Sequence, residues 1–130
     1  MHPFPKAIEN GDADAVAALL ADDVVFTGPV TVESYPGKAI TAAILRGALL
    51  IYEDVTYIRQ IANPDGRNHA FVFTATVAGK QLQGCDFLHF DDDGKIDEIT
   101  VMVRPLSAAQ AVAEAAGALS EQIAREAAEQ

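Results

Sequence analysis

The sequence predicts an α+β fold, on three observations. Apolar residues recur at helical spacing in the first half, extended β-rich runs separated by turn signals fill the second, and a further helical stripe follows them. The 130 residues are expected to form one domain spanning 1–130, because domains typically hold about 100–200 residues. A chain of this size buries roughly two-thirds of its unfolded surface, enough for a core without staples.

The elements follow in order. Gly11-Asp12-Ala13-Asp14 reads as a helix start, with acids where the helix dipole favours them. Ala15, Val16, Leu19 and Leu20 supply its apolar face, and Asp22-Asp23 end it. Val24 to Thr27 reads as a short strand closed by Gly28-Pro29, and a loop with Tyr35-Pro36-Gly37 leads to a second helix. There Ile40, Ala43, Ile44, Gly47, Ala48 and Ile51 fall on one helical face. Four extended segments come next: Val55 to Ala62, Asn68 to Ala78, Gln81 to Phe90 and Ile96 to Arg104. Asn63-Pro64-Asp65-Gly66, Gly79-Lys80 and Asp91-Asp92-Asp93-Gly94 separate them, which predicts a curved antiparallel meander. A C-terminal helix is expected over about 107–128, with Ser107 and Gln110 as a capping box and Val112, Ala116, Leu119 and Ile123 as a narrow stripe.

Pairing across the turns sorts the strand residues into faces. With Ala78 opposite Gln81 and Phe90 opposite Lys95, Phe73 lies opposite Asp86, and Asp86 opposite Ile99. One face then collects Phe71, Phe73, Leu88, Ile99 and Val101, with Asp86 as a lone carboxyl near its middle. The other face carries Val72, Thr74, Thr76, Cys85, Phe87, His89, Thr100 and Met102. A one-residue slip would exchange the two faces.

Composition excludes several function classes. Nineteen acidic against nine basic side chains give a net charge of −10. Nucleic-acid affinity comes largely from Lys and Arg neutralising phosphates, so neither nucleic acid nor an anionic membrane surface is an expected partner. No apolar run approaches the 18 or so residues of a membrane span, and the first six residues lack a signal peptide's apolar core. With the single Cys85, these point to a reducing, cytoplasmic compartment. Three histidines and one cysteine, scattered over two faces, do not make a metal site. Asp91-Asp92-Asp93-Gly94 resembles part of a calcium loop but lacks the later ligands, and reads as a hairpin turn. No Gly-x-Gly-x-x-Gly, Walker or nucleophile-elbow motif occurs. No cofactor and no metal are expected.

Ala7-Ile8-Glu9-Asn10-Gly11-Asp12 and Leu19-Leu20-Ala21-Asp22-Asp23-Val24-Val25-Phe26 resemble the opening of SnoaL-like proteins, of the nuclear transport factor 2-like superfamily. Gly37-Lys38-Ala39-Ile40, Phe87-Leu88-His89-Phe90 and Asp93-Gly94-Lys95-Ile96 continue the resemblance, which spans most of residues 4–104. It implies a cone-shaped α+β barrel in which helices fill the concave side of a curved sheet and leave a pocket. Relatives of this kind include polyketide cyclases, ketosteroid isomerase, epoxide hydrolases and pockets without known chemistry. Of the isomerase's three groups, the base aspartate falls on Gly28, the oxyanion tyrosine on Phe4, and the protonated aspartate on Asp86. The arginine of limonene-type epoxide hydrolases falls on Gly84. A cyclase-like site asks for little beyond a carboxylate in an apolar pocket.

Asp86 is therefore the expected general acid or base, since desolvation on an apolar face raises a carboxyl pKa. The competing reading is a buried aspartate hydrogen-bonded for structural reasons. Phe71, Phe73, Leu88, Ile99 and Val101 are the expected ligand-lining residues. Tyr35 and Tyr52 flank the second helix as hydroxyls at a pocket mouth, and His69 shares the Asp86 face near a strand end. Either Arg59 or Gln60 faces inward. The expected ligand is a small apolar or polycyclic carbonyl compound, and the expected chemistry is cofactor-free proton abstraction, cyclisation or isomerisation. The alternative is a non-catalytic ligand-binding or dimeric interaction module. The outer face, with Phe87 and Met102, predicts a homodimer.

Overall fold

The computed structural model describes residues 2–129. Its elements are α1 (Pro3–Glu9), α2 (Ala13–Ala18), β1 (Leu20–Thr27), β2 (Ser34–Pro36), α3 (Lys38–Ile51), β3 (Glu53–Ala62), β4 (Asn68–Val77), β5 (Lys80–Phe90), β6 (Ile96–Arg104), α4 (Leu106–Ala118) and α5 (Ser120–Glu129). The six strands form one curved sheet in the order β2-β1-β6-β5-β4-β3. β3 to β6 make the antiparallel meander that the turn signals imply. The sheet is nevertheless mixed, because β1 joins the edge of β6 in parallel.

Local chemistry explains the helix ends. The Asp12 carboxylate caps α2 by accepting from the Ala15 N–H at 3.0 Å. α1 carries Pro3 and Pro5 in its first turn, where a missing N–H is tolerated, and His2 Nδ1 accepts from the Phe4 N–H at 3.1 Å. α2 stops at Ala18, so Leu20 and Ala21 belong to β1 and are buried there. Tyr35 and Pro36, expected in a loop, form β2 against β1. The C-terminal helix is two helices rather than one, broken at Leu119 just after the weak helix former Gly117. The break turns α5 onto α3, where Gly47 leaves room for Ile123: a Cβ there would sit 3.2 Å from Ile123 Cδ1. The Ser107–Gln110 box does not cap α4; Pro105 holds the cap position with no side-chain bond.

The strand register differs from the expected one by two residues in each hairpin. Val77 pairs with Lys80, Phe71 with Asp86, and Asp86 with Val101. The β4–β5 turn is Ala78-Gly79, both at positive φ, +49° and +78°, the conformation of the tight two-residue hairpin turn. A shift of two preserves the side-chain alternation, so the expected faces stand. Phe71, Phe73, Ala75, Val77, Leu82, Leu88, Phe90, Ile99 and Val101 are all buried. α1, α2 and α3 cover one part of this face, with Phe4, Val16 and Leu45 packed among Phe71, Leu88 and Ile99. α4 covers the rest, setting Ala108 and Val112 on Phe73, Val77 and Leu82. Among the described residues, no helix is long and apolar enough to cross a membrane.

Candidate functional site

Between the helices and the concave sheet lies a small cavity of about 70 Å³. α1 contributes Phe4 and Ile8, and α3 contributes Leu45, Ala48 and Leu49. The sheet contributes Phe26, Tyr57, Phe73, Ile99 and Val101. Among the described residues Asp86 is the one acidic or basic side chain in this wall, and it is nearly closed off, at 6% exposure.

Two tyrosines accompany it. The Tyr57 hydroxyl donates to Asp86 Oδ2 at 2.6 Å, a short bond of the kind formed to a charged or partly charged acceptor. Tyr52, the first residue after α3, also lines the cavity. Its phenol is held above its ordinary pKa, first by burial and then by the nearby Asp86, so it stays a neutral donor. Burial and Asp86 push the Tyr57 phenol upward in the same way. Burial pushes Asp86 itself up to about 7, against the Tyr57 hydrogen bond, which lowers it. Among the described residues no basic side chain lines this cavity, so none of them holds the carboxylate charged by Coulombic attraction. Oδ2 is thus anchored by Tyr57, and no hydrogen bond to Oδ1 is formed among the described residues.

The structure brings together Asp86, Phe73, Ile99, Val101 and Tyr52 of the residues singled out in the sequence. It places the other four elsewhere. Phe71 and Leu88 share the inner face but are sealed in the core, at 0% and 2% exposure, behind the cavity wall. Tyr35 lies on β2, opposite Phe26, and its hydroxyl points toward Glu33 Oε2 at 3.5 Å. His69 sits at the start of β4, where its ring nitrogens meet Gln60 Nε2 at 3.3 Å and the Gly66 carbonyl at 3.1 Å. Neither Arg59 nor Gln60 reaches Asp86. Arg59 lies on the outer face, in a groove with Val72, Cys85, Met102 and Arg104. Gln60, opposite Phe71, is the one of the two on the inner-face side, beyond the cavity; the β3 residues that line the cavity are Val55 and Tyr57, of which the sequence reading passed over Tyr57 as a site residue. Strict alternation along Val55, Tyr57 and Arg59 would have raised it, but the register breaks after Tyr57 and turns Arg59 outward. Among the described residues, no cluster of three or more His, Cys, Asp or Glu is placed to hold a metal ion.

The SnoaL-like domain family matches residues 3–99. Among solved structures, a steroid delta-isomerase from Pseudomonas aeruginosa is 38% identical, with 92% of this chain and 88% of that one covered and a TM-score of 0.85. A bacterial protein with a cystatin-like fold from Silicibacter pomeroyi is 27% identical, over 96% of this chain and 90% of that one, with a TM-score of 0.89. A putative polyketide cyclase from Pseudomonas putida is 27% identical, over 81% of this chain and 88% of that one, with a TM-score of 0.68. Among curated proteins there is no match.

Proposed function

The chain belongs to the family of SnoaL-like domains, and on that footing we propose that it binds a small apolar carbonyl compound and moves a proton on it with Asp86. The observation that carries this reading is the single carboxyl in an apolar cavity, anchored by Tyr57 at 2.6 Å and displaced to a pKa of about 7. A group titrating near the working pH is available both to take and to return a proton.

The chemistry follows from the geometry. With Oδ2 held by Tyr57, the other carboxylate oxygen takes a proton from the carbon next to a ligand carbonyl. The C–H electron pair becomes the C=C bond of an enolate, and the carbonyl π pair moves onto oxygen. Tyr52, whose hydroxyl makes no hydrogen bond among the described residues, is the donor for that oxygen. Return of the proton to a different carbon completes an isomerisation; in a ring closure the enolate carbon bonds to a second carbonyl carbon, whose π pair moves onto its oxygen, and Asp86 gives its proton to the alkoxide so formed. Exclusion of water by Phe4, Phe73, Ile99 and Val101 strengthens both interactions. The names of the similar structures, a steroid delta-isomerase and a putative polyketide cyclase, suit this class of reaction.

A second reading, a binding pocket without turnover, is favoured by Phe4. It lines the cavity at the place where the isomerase resemblance calls for a hydroxyl. The test is turnover of cyclic enones and 1,3-dicarbonyl compounds by the parent protein and by Asp86→Asn, with native mass spectrometry to follow binding. The enzyme reading expects turnover that falls at least a hundredfold in Asp86→Asn, with the compound still bound. Binding that is equal in both proteins, with no turnover in either, supports the second reading.

A further inference from the structure

We propose that Glu9 is a positioning residue for this site: its carboxylate holds the backbone of Tyr57, and through it the hydroxyl that anchors Asp86. The inference rests on the proposed acid–base role of Asp86.

Three observations carry it. Glu9 Oε2 accepts from the Tyr57 N–H at 2.8 Å, across 48 residues of sequence. β3 is an edge strand, so one row of its N–H groups faces away from β4. The ladder is also interrupted on both sides of Tyr57, between Glu53 and Thr56 and between Tyr57 and Arg59. Tyr57 therefore sits in a stretch that the sheet holds poorly, and a side chain from another element supplies the missing restraint.

The placement of Glu9 is unfavourable for α1 taken alone. It is the last residue of that helix, where the dipole disfavours a negative charge. A carboxylate kept there and aimed at a distant backbone N–H is better explained by the bond it makes than by helix stability. The same helix presents Phe4 and Ile8 to the cavity. Glu9 thus ties the helix that forms one wall of the pocket to the strand that carries the carboxyl's partner. The groups facing Asp86 are Tyr57 from β3 and Tyr52 from the end of α3, and Glu9 adds its charge to the field on Tyr57.

Two variants separate the tether from the charge. Glu9→Gln keeps an oxygen that accepts from Tyr57 and removes the charge; Glu9→Ala removes both. Asp86 is followed by carbon-13 carboxyl NMR and the Tyr57 amide by hydrogen exchange. Losing the Tyr57 anchor raises the Asp86 midpoint, so Glu9→Ala should titrate above Glu9→Gln by roughly half a pH unit or more. The Tyr57 amide should exchange faster only in Glu9→Ala. Glu9→Asp, which draws the carboxylate back by one methylene, provides the same reading should Glu9→Ala not fold. Coincident midpoints in Glu9→Gln and in the variant that shortens or deletes the arm overturn the assignment. The acid–base reading is separately judged by the parent protein: an Asp86 midpoint in the ordinary carboxylate range defeats that reading whatever Glu9 does.

Discussion

The Tyr57 hydroxyl and Asp86 Oδ2 meet at 2.6 Å although β4 runs between their strands. Two strand spacings are about 10 Å, and the concave sheet together with a long phenol closes that gap. The Tyr57 ring passes over Phe71 and Phe73, with centroids 6.1 and 5.6 Å away. The bond favours the ionised carboxylate and so opposes burial. Tyr57→Phe keeps the ring and removes the donor. Its Asp86 should titrate higher than in the parent by about a pH unit, as read by carboxyl NMR; a lower or unchanged midpoint would refute this balance.

Asp86→Asn should stabilise the protein at alkaline pH. The folded-state pKa is raised, from 3.8 to about 7. Between those values the folded protein keeps a proton that the unfolded chain has released, so stability falls as pH rises through that window and stays low above it. At about 1.4 kcal/mol per pH unit, the variant should gain roughly 2–4 kcal/mol over the parent at pH 8. Below about pH 3, where the unfolded chain too is mostly protonated at this group, the gain should largely vanish. Urea titrations at the two pH values check this, and equal differences at both would contradict it.

Gly84→Ala should distort the pocket. Phe73 pairs with Gly84 and its ring lies across the glycine, so that a Cβ there would be 2.6 Å from Cε1. The ring, held by α4 behind it, would be driven toward the cavity that it lines. Overpacking of this kind costs about 1–3 kcal/mol. Thermal unfolding should show that loss together with weaker ligand binding; full stability with unchanged binding would show the ring free to move.

The outer sheet face is expected to pair with a second copy of the chain. Phe87 and Met102 are 42% and 57% exposed there, beside the partly buried Val72, Thr74 and Thr100. Contiguous apolar surface of this kind is costly to leave in water. Sedimentation should give a dimer for the parent protein at micromolar concentration and a monomer for Phe87→Arg. The same mass for both would count against this surface.

Much of the sheet was legible because alternation in β4, β5 and β6 is nearly unbroken. A two-residue error in pairing leaves every side chain on its face, so Asp86 was found on the apolar side despite the wrong partners. The turn itself was not legible, since Ala78 at φ +49° carries no sequence mark of a left-handed residue. α1 escaped notice because seven residues with two prolines show too little periodicity. The cavity's second polar group was missed for a different reason. Tyr57 reaches Asp86 over an intervening strand, and no spacing in the sequence encodes sheet curvature. Tyr35 and His69 failed as pocket residues because proximity to α3 or to a shared face does not fix position along the cone.

The most direct test of the poised carboxyl is a carbon-13 NMR titration of Asp86 in the unliganded protein. The account expects a midpoint near 7, displaced upward by burial and held back by Tyr57. A midpoint near the ~3.9 of a free aspartate would contradict it, and with it the assignment of Asp86 as the group that moves the proton.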